Sequence, residues 1–144
     1  MCGIVGYIGR KQAAPILLDG LNKLEYRGYD SAGVAIAGNG GITVAKERGR
    51  LSALYELTNG GEAIPGHVGI GHTRWATHGE PNRINAHPHV ASSGRVALVH
   101  NGIIENYAEL KAFLIGKGYS FTSETDSEVA VQLIDYYYDG DPVQ

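Results

Sequence analysis

Gly38-Asn39-Gly40-Gly41 stands between two short apolar runs, residues 34–37 and 42–45, and is the most restrictive local pattern in the chain. Apolar runs joined by Gly and Asn predict a tight hairpin, which commits the fold to at least one antiparallel strand pair. Further strands are predicted over 2–8, 68–73, 96–100 and 119–122, and helices over 13–24, 51–58 and 106–117. A last helix opens at Thr125-Asp126-Ser127-Glu128, which has capping-box spacing. Leu17, Leu21 and Leu24 share one face of the first helix, and Pro15 suits its first turn. Tyr107, Leu110 and Leu114 point inward on the third helix, and the last helix bears Val129, Leu133, Ile134 and Tyr137. Residues 27–33 read as a turn, and 74–89 as a long polar loop of the kind that is functional or disordered. Strands interleaved with a few helices indicate an α+β or layered α/β domain, not a bundle.

With 144 residues, 43% of them hydrophobic, the chain has enough apolar surface for one cored domain and is too short for two. Its net charge of −3, with no basic run or basic-aromatic stripe, argues against nucleic acid and against a membrane surface as partners. No segment is apolar for long enough to span a bilayer, and the N-terminus lacks a secretory signal, so a cytoplasmic location is expected. The 21 glycines predict tight turns and close backbone approaches, some of them at a ligand.

Cys2 is the one cysteine of the chain and follows Met1 directly, within Cys2-Gly3-Ile4-Val5-Gly6. A lone cysteine staples nothing internally, which fits a reducing compartment and directs attention to thiol chemistry. Removal of Met1 would leave a thiol and a free α-amine on one residue. The two groups ordinarily titrate within about one pH unit of each other, so the amine can take the thiol proton and one residue carries both nucleophile and base. The bland alternative is a small buried hydrophobe opening an edge strand.

A thiolate attacking an amide generates a tetrahedral oxyanion, which needs fixed hydrogen-bond donors. Asn101-Gly102, after a predicted strand, offers a side-chain amide and an unobstructed N–H; an Asn-Gly hairpin turn is the competing reading. A free amino acid is recognised by a planar cation on its carboxylate and an anion on its ammonium, and Arg74 and Asp126 are of those types. Arg74 also reads as a solvated loop residue, and Asp126 as a charge favoured at a helix N-terminus. His87-Pro88-His89 brings two of six histidines close, but no acidic partner has ligand spacing and the cysteine is distant, so no metal is expected.

Three long motifs carry a resemblance. Leu24-Glu25-Tyr26-Arg27-Gly28-Tyr29-Asp30-Ser31-Ala32-Gly33, His72-Thr73-Arg74-Trp75-Ala76-Thr77-His78-Gly79-Glu80-Pro81 with Asn85-Ala86-His87-Pro88-His89, and His100-Asn101-Gly102-Ile103-Ile104-Glu105-Asn106 follow the Cys-Gly-Ile opening in order. Together they resemble the class II, N-terminal-nucleophile glutamine amidotransferases, and within them the family that passes ammonia to fructose 6-phosphate. The resemblance implies Cys2 as nucleophile, with its own α-amine as base once Met1 is gone, and Asn101 and Gly102 as the oxyanion hole. It implies Arg74 on the glutamine α-carboxylate and Asp126 on its α-amine. Trp75, Thr77 and His78 match a mobile loop over glutamine, with Trp75 gating an ammonia passage, and Arg27 matches a position near the nucleophile.

The implied reaction releases ammonia from L-glutamine through a γ-glutamyl thioester, and the implied fold is a four-layer α/β/β/α sandwich needing no metal or organic cofactor. In that family the glutaminase domain continues beyond the equivalent of residue 144, and a sugar isomerase half follows in a homo-oligomeric protein. Residues 1–144 are therefore expected to form a C-terminally incomplete glutaminase domain, with the isomerase domains outside the chain. Neighbouring families with a purine-type acceptor, and a glutamine-sensing module without turnover, are the alternatives.

Overall fold

The predicted hairpin forms, and it is longer than its apolar runs imply. In the computed structural model, which describes residues 1–77 and 79–141, β2 spans Ser31–Gly38 and β3 spans Gly41–Arg48, with Gly38 opposite Gly41 across Asn39-Gly40. The residues Ser31, Ala32 and Gly33, expected in a turn, are strand instead. They pair with Arg48, Glu47 and Lys46 on one side and with Arg74, Thr73 and His72 on the other. Their small side chains serve a close approach: a Cβ on Gly33 would clash with the backbone oxygen of His87 and lie 3.1 Å from that of Ala45.

β1 (Gly3–Ile8) and β4 (Val68–Arg74) complete an antiparallel four-stranded sheet in the order β1-β4-β2-β3. The helix α1 (Ala13–Leu24) lies on one face of it, where Leu17, Leu18 and Leu21 meet Val34, Ile36 and the Leu51 and Leu54 of α2 (Leu51–Leu57). Leu24 is half-buried at the end of this face. Burial of these aliphatic side chains, each contributing about 1.5–3 kcal/mol, supplies the main core.

Across the opposite face runs the segment that enters β5 (His89–Val90), which pairs with β6 (Ala97–Leu98). α3 (Tyr107–Gly116) and α4 (Asp126–Tyr137) form the outer layer, α4 against β5 and β6, and α3 against α4. The result is an α+β fold with its helical and sheet layers in α/β/β/α order. The predicted strand over 96–100 shrinks to Ala97–Leu98, and 119–122 forms no strand. There α4 side chains replace a partner strand: Gln132 donates to the Ser120 carbonyl at 3.3 Å, and the Thr122 N–H donates to Glu128 at 2.9 Å.

This duty sets which side of α4 is buried. Val129 and Val131 are buried beside the polar Glu128, Gln132 and Asp135, whereas Ile134 and Tyr137 are 44% and 71% exposed. Ile134, Tyr137 and Leu133 line an open groove of about 530 Å³ instead. On α3, Leu114 is buried while Tyr107 and Leu110 are only half-buried. No described helix is long and apolar enough to cross a membrane.

Candidate active site

Antiparallel pairing of β1 with β4 sets Gly3 opposite Thr73, whose hydroxyl accepts the Gly3 N–H at 3.1 Å. Cys2 is thereby held beside the residues that leave β4. The Trp75 N–H donates to Cys2 Sγ at 3.2 Å, and Sγ lies 3.5 Å from the Trp75 carbonyl. The Met1 ammonium donates to the carbonyls of Arg27 and Gly28 at 3.1 and 2.7 Å, and Arg27 Nη2 lies 3.5 Å from Met1 Sδ. Arg27 is thus next to the nucleophile candidate but outside the cavity in front of it.

That cavity encloses about 280 Å³, and Cys2, Arg74, Trp75, Thr77, Asn101, Gly102 and Asp126 all line it. It is at the small end for a ligand pocket and suits a compact polar molecule. His78 lies outside the described residues. Arg74, at the end of β4, and Asp126, in the first turn of α4, are 3% and 4% exposed. Burial draws the Arg74 guanidinium below its ordinary pKa, while Asp30, Cys2, Asp126 and Glu124 oppose that shift. Its nitrogens donate to the carbonyls of Gly79 and Glu80 at 3.4 and 3.3 Å. Asp126 accepts the Ile104 N–H at 2.8 Å, tying the loop after Asn101-Gly102 to the start of α4. The cap of α4 is Thr125, which accepts the Glu128 N–H at 3.3 Å. Glu128 in turn accepts the backbone N–H groups of Thr122 and Ser123 at 2.9 and 2.7 Å.

Asn101-Gly102 is not a hairpin turn; it follows β6 in an irregular exposed loop. Asn101 Nδ2 donates to the Cys2 carbonyl at 3.4 Å, and its Oδ1 lies 2.7 Å from His72 Nε2. Gly102 has φ +147°, and a Cβ there would lie 3.1 Å from His100 Nε2, so the position favours glycine on both counts. Trp75 is 56% exposed at the cavity mouth.

Beneath the cavity lie histidines that the residue-type argument left without a role. His72 and His87 are stacked, with centroids 4.4 Å apart, and His87 meets His89 edge-on at 4.8 Å. Burial lowers His72 to about 4 and His89 to about 3, and pushes His87 lower still, so all three are neutral at pH 7. His89 hydrogen-bonds Thr125 at 2.7 Å, and the His100 N–H donates to His87 Nδ1 at 3.3 Å. Among the described residues no group of three or more His, Cys, Asp and Glu is placed to hold a metal ion. Asp30 also escaped the residue-type argument: it accepts the Ala76 N–H at 2.5 Å and so anchors the loop after Arg74. The signal for His72 was available, since it stands two residues before Arg74 on a strand and therefore on the same face.

Residues 58–140 match the model of the glutamine amidotransferase domain family. The chain belongs to the glutamine amidotransferase family. The matched segment holds Arg74, Asn101, Gly102 and Asp126, and alignments to relatives extend the similarity over Cys2. The glutamine–fructose-6-phosphate aminotransferase (isomerizing) of Caldanaerobacter subterraneus subsp. tengcongensis is 62% identical over all of this chain and 24% of its own length. That of Thermus thermophilus is 57% identical over 98% of this chain and 23% of its own length. The chain therefore spans about a quarter of the length of the curated relatives it matches. Among solved structures, the glutamine phosphoribosylpyrophosphate amidotransferase of B. subtilis superposes with a TM-score of 0.79 at 27% identity, over 99% of this chain and 30% of that one. An allosteric regulatory enzyme of purine biosynthesis gives 0.80 at 28%, over 99% and 31%. This glutamine amidotransferase domain thus has the fold of N-terminal-nucleophile amidotransferases.

Proposed function

We propose that residues 1–144 are the glutaminase part of a glucosamine-6-phosphate synthase, in which Cys2 hydrolyses L-glutamine and the ammonia goes to fructose 6-phosphate. The observation that carries this reading is the convergence on one cavity of a thiol, an oxyanion-type Asn-Gly pair, a buried cation and a buried anion from separate parts of the chain. With Met1 in place the Cys2 nitrogen is a peptide nitrogen and holds no base, so removal of Met1 comes first. The freed α-amine takes the thiol proton, and the thiolate attacks the γ-carboxamide carbon of glutamine. Asn101 Nδ2–H and the Gly102 N–H donate to the resulting oxyanion. Collapse expels ammonia, protonated by the same α-ammonium, and leaves a γ-glutamyl thioester on Cys2; water then attacks the thioester, giving glutamate and the free thiol.

Arg74 pairs with the substrate α-carboxylate and Asp126 with its α-ammonium, so the backbone end of glutamine is fixed while its amide reaches Cys2. Trp75, Thr77 and His78 close over the bound substrate, and Trp75 gates the exit of ammonia. Arg27, beside the N-terminus and outside the cavity, belongs to the surroundings of Cys2 and not to the glutamine contacts. Sequence identity near 60% to fructose-6-phosphate enzymes, against 27% to the phosphoribosylpyrophosphate enzyme, supports the sugar phosphate as acceptor. The acceptor site then belongs to isomerase domains outside residues 1–144, in a cytoplasmic homo-oligomer.

Incubation with a glutamine-mimicking diazoketone, followed by intact mass and peptide mapping, tests the glutaminase step. The expected result is loss of Met1 and a single adduct on Cys2 that glutamine blocks. Glutamine binding without an adduct, in protein lacking Met1, would mean a sensing module and not an enzyme.

A further inference from the structure

Asn101 sits on an exposed loop, yet one end of its side-chain amide is tied to the interior of the sheet. The tie is His72, fully buried in β4, whose Nε2 is 2.7 Å from Asn101 Oδ1. The other end of the amide faces the Cys2 carbonyl, with Nδ2 at 3.4 Å. A carbonyl oxygen only accepts, so the NH₂ end must lie toward Cys2 and Oδ1 toward the histidine. Oδ1 also only accepts, so His72 Nε2 must carry the proton. The remaining ring nitrogen, Nδ1, is buried and has no hydrogen-bond partner among the described residues, as suits an unprotonated nitrogen. The ring is further held by stacking on His87 at 20°.

We propose that His72 is a positioning residue for the oxyanion site: its Nε2–H holds Asn101 Oδ1 so that Asn101 Nδ2 points at the substrate oxygen as that oxygen becomes negative. The proposal rests on the glutaminase reading above. A primary amide has two nearly isosteric orientations, and the flipped one turns a carbonyl dipole toward the oxyanion. The loop itself selects neither; the Cys2 carbonyl favours the NH₂ end only across a long 3.4 Å contact, whereas the histidine donor on a central strand holds Oδ1 at 2.7 Å. Because His72 and Arg74 alternate on β4, one strand then places both the substrate's carboxylate clamp and the aim of the oxyanion donor.

The test is steady-state glutamine hydrolysis by the whole protein with His72→Leu, His72→Gln, Asn101→Ala and the His72→Leu/Asn101→Ala pair. His72→Leu is expected to lower kcat by about ten- to a hundredfold, short of or equal to loss of an oxyanion donor, with KM for glutamine within about twofold. His72→Gln, which keeps an N–H at that depth, restores most of the rate. The double variant is expected to be no slower than Asn101→Ala alone, since without the amide there is nothing to aim. Multiplicative losses, or a matching rise in KM, overturn the proposal while leaving the glutaminase reading intact; an unaltered protein that neither turns over glutamine nor labels at Cys2 overturns that reading instead. Should His72→Leu fail to fold, ¹⁵N NMR of the unaltered protein decides: His72 protonated on Nε2, with Asn101 side-chain amide protons protected from exchange, is the expected signature. Protonation on Nδ1 overturns the proposal.

Discussion

Backbone conformation and distant neighbours govern the chemistry available at single residues. Gly102 is held at φ +147° with His100 close to where a Cβ would stand, so its N–H direction depends on the absence of a side chain. Gly102→Ala is expected to slow diazoketone labelling of Cys2 by at least about tenfold, because a displaced oxyanion donor costs transition-state stabilisation. The same change is expected to lower stability by about 1–3 kcal/mol, the usual cost of forcing a side chain into such a conformation. Labelling at the unaltered rate would mean that the Gly102 N–H takes no part. Cys2 itself depends on neighbours far along the chain: Thr73 fixes Gly3, the Trp75 N–H meets the thiol, and Asp30 fixes Ala76.

Elements are brought into place by small residues as much as by large ones. Gly33 in β2 lets the His87 backbone pass directly over the sheet, which puts the His87 ring on His72 and carries the chain on to β5. Gly33→Ala is expected to destabilise the fold by about 1–3 kcal/mol, as overpacking does, and to weaken glutamine protection of Cys2 by shifting the layer beneath the cavity. A urea midpoint unchanged within error would show that the segment moves aside at no cost. The extent of β2 was not legible because Ser31-Ala32-Gly33 has turn composition; its strand conformation comes from partners on both sides. The exposure of Ile134 and Tyr137 was not legible for a related reason. The helical period locates a face of α4 correctly only if that face is apolar, and here the buried face supplies Glu128, Gln132 and Asp135 to loops that lack strand partners.

For the molecule as a whole, the buried histidine layer makes stability depend on pH. His72 and His89 have folded pKa values lowered to about 4 and about 3 from the ordinary 6.5, and His87 is lowered further. Below 6.5 the unfolded chain therefore binds more protons than the folded one. The stabilisation from keeping these rings neutral is complete above pH ~6.5 and falls as the pH drops toward 4, by up to about 1.4 kcal/mol per pH unit for each ring. Chemical denaturation at pH 7.5 and pH 5 should show a clear loss at the lower value; equal midpoints would mean the rings are not buried as neutral groups.

The hairpin, the limits of α1, the Thr125 cap and the identities of the chemical groups were all determined by the sequence itself, because each depends on residues within a turn or two of one another. Tertiary structure alone decided that β4 lies between β1 and β2, that residues 2, 74, 101 and 126 face one cavity, and that His72 reaches Asn101. Those contacts join positions tens of residues apart, and their energy comes from packing and hydrogen bonds that exist only once the layers have closed, so no local pattern records them.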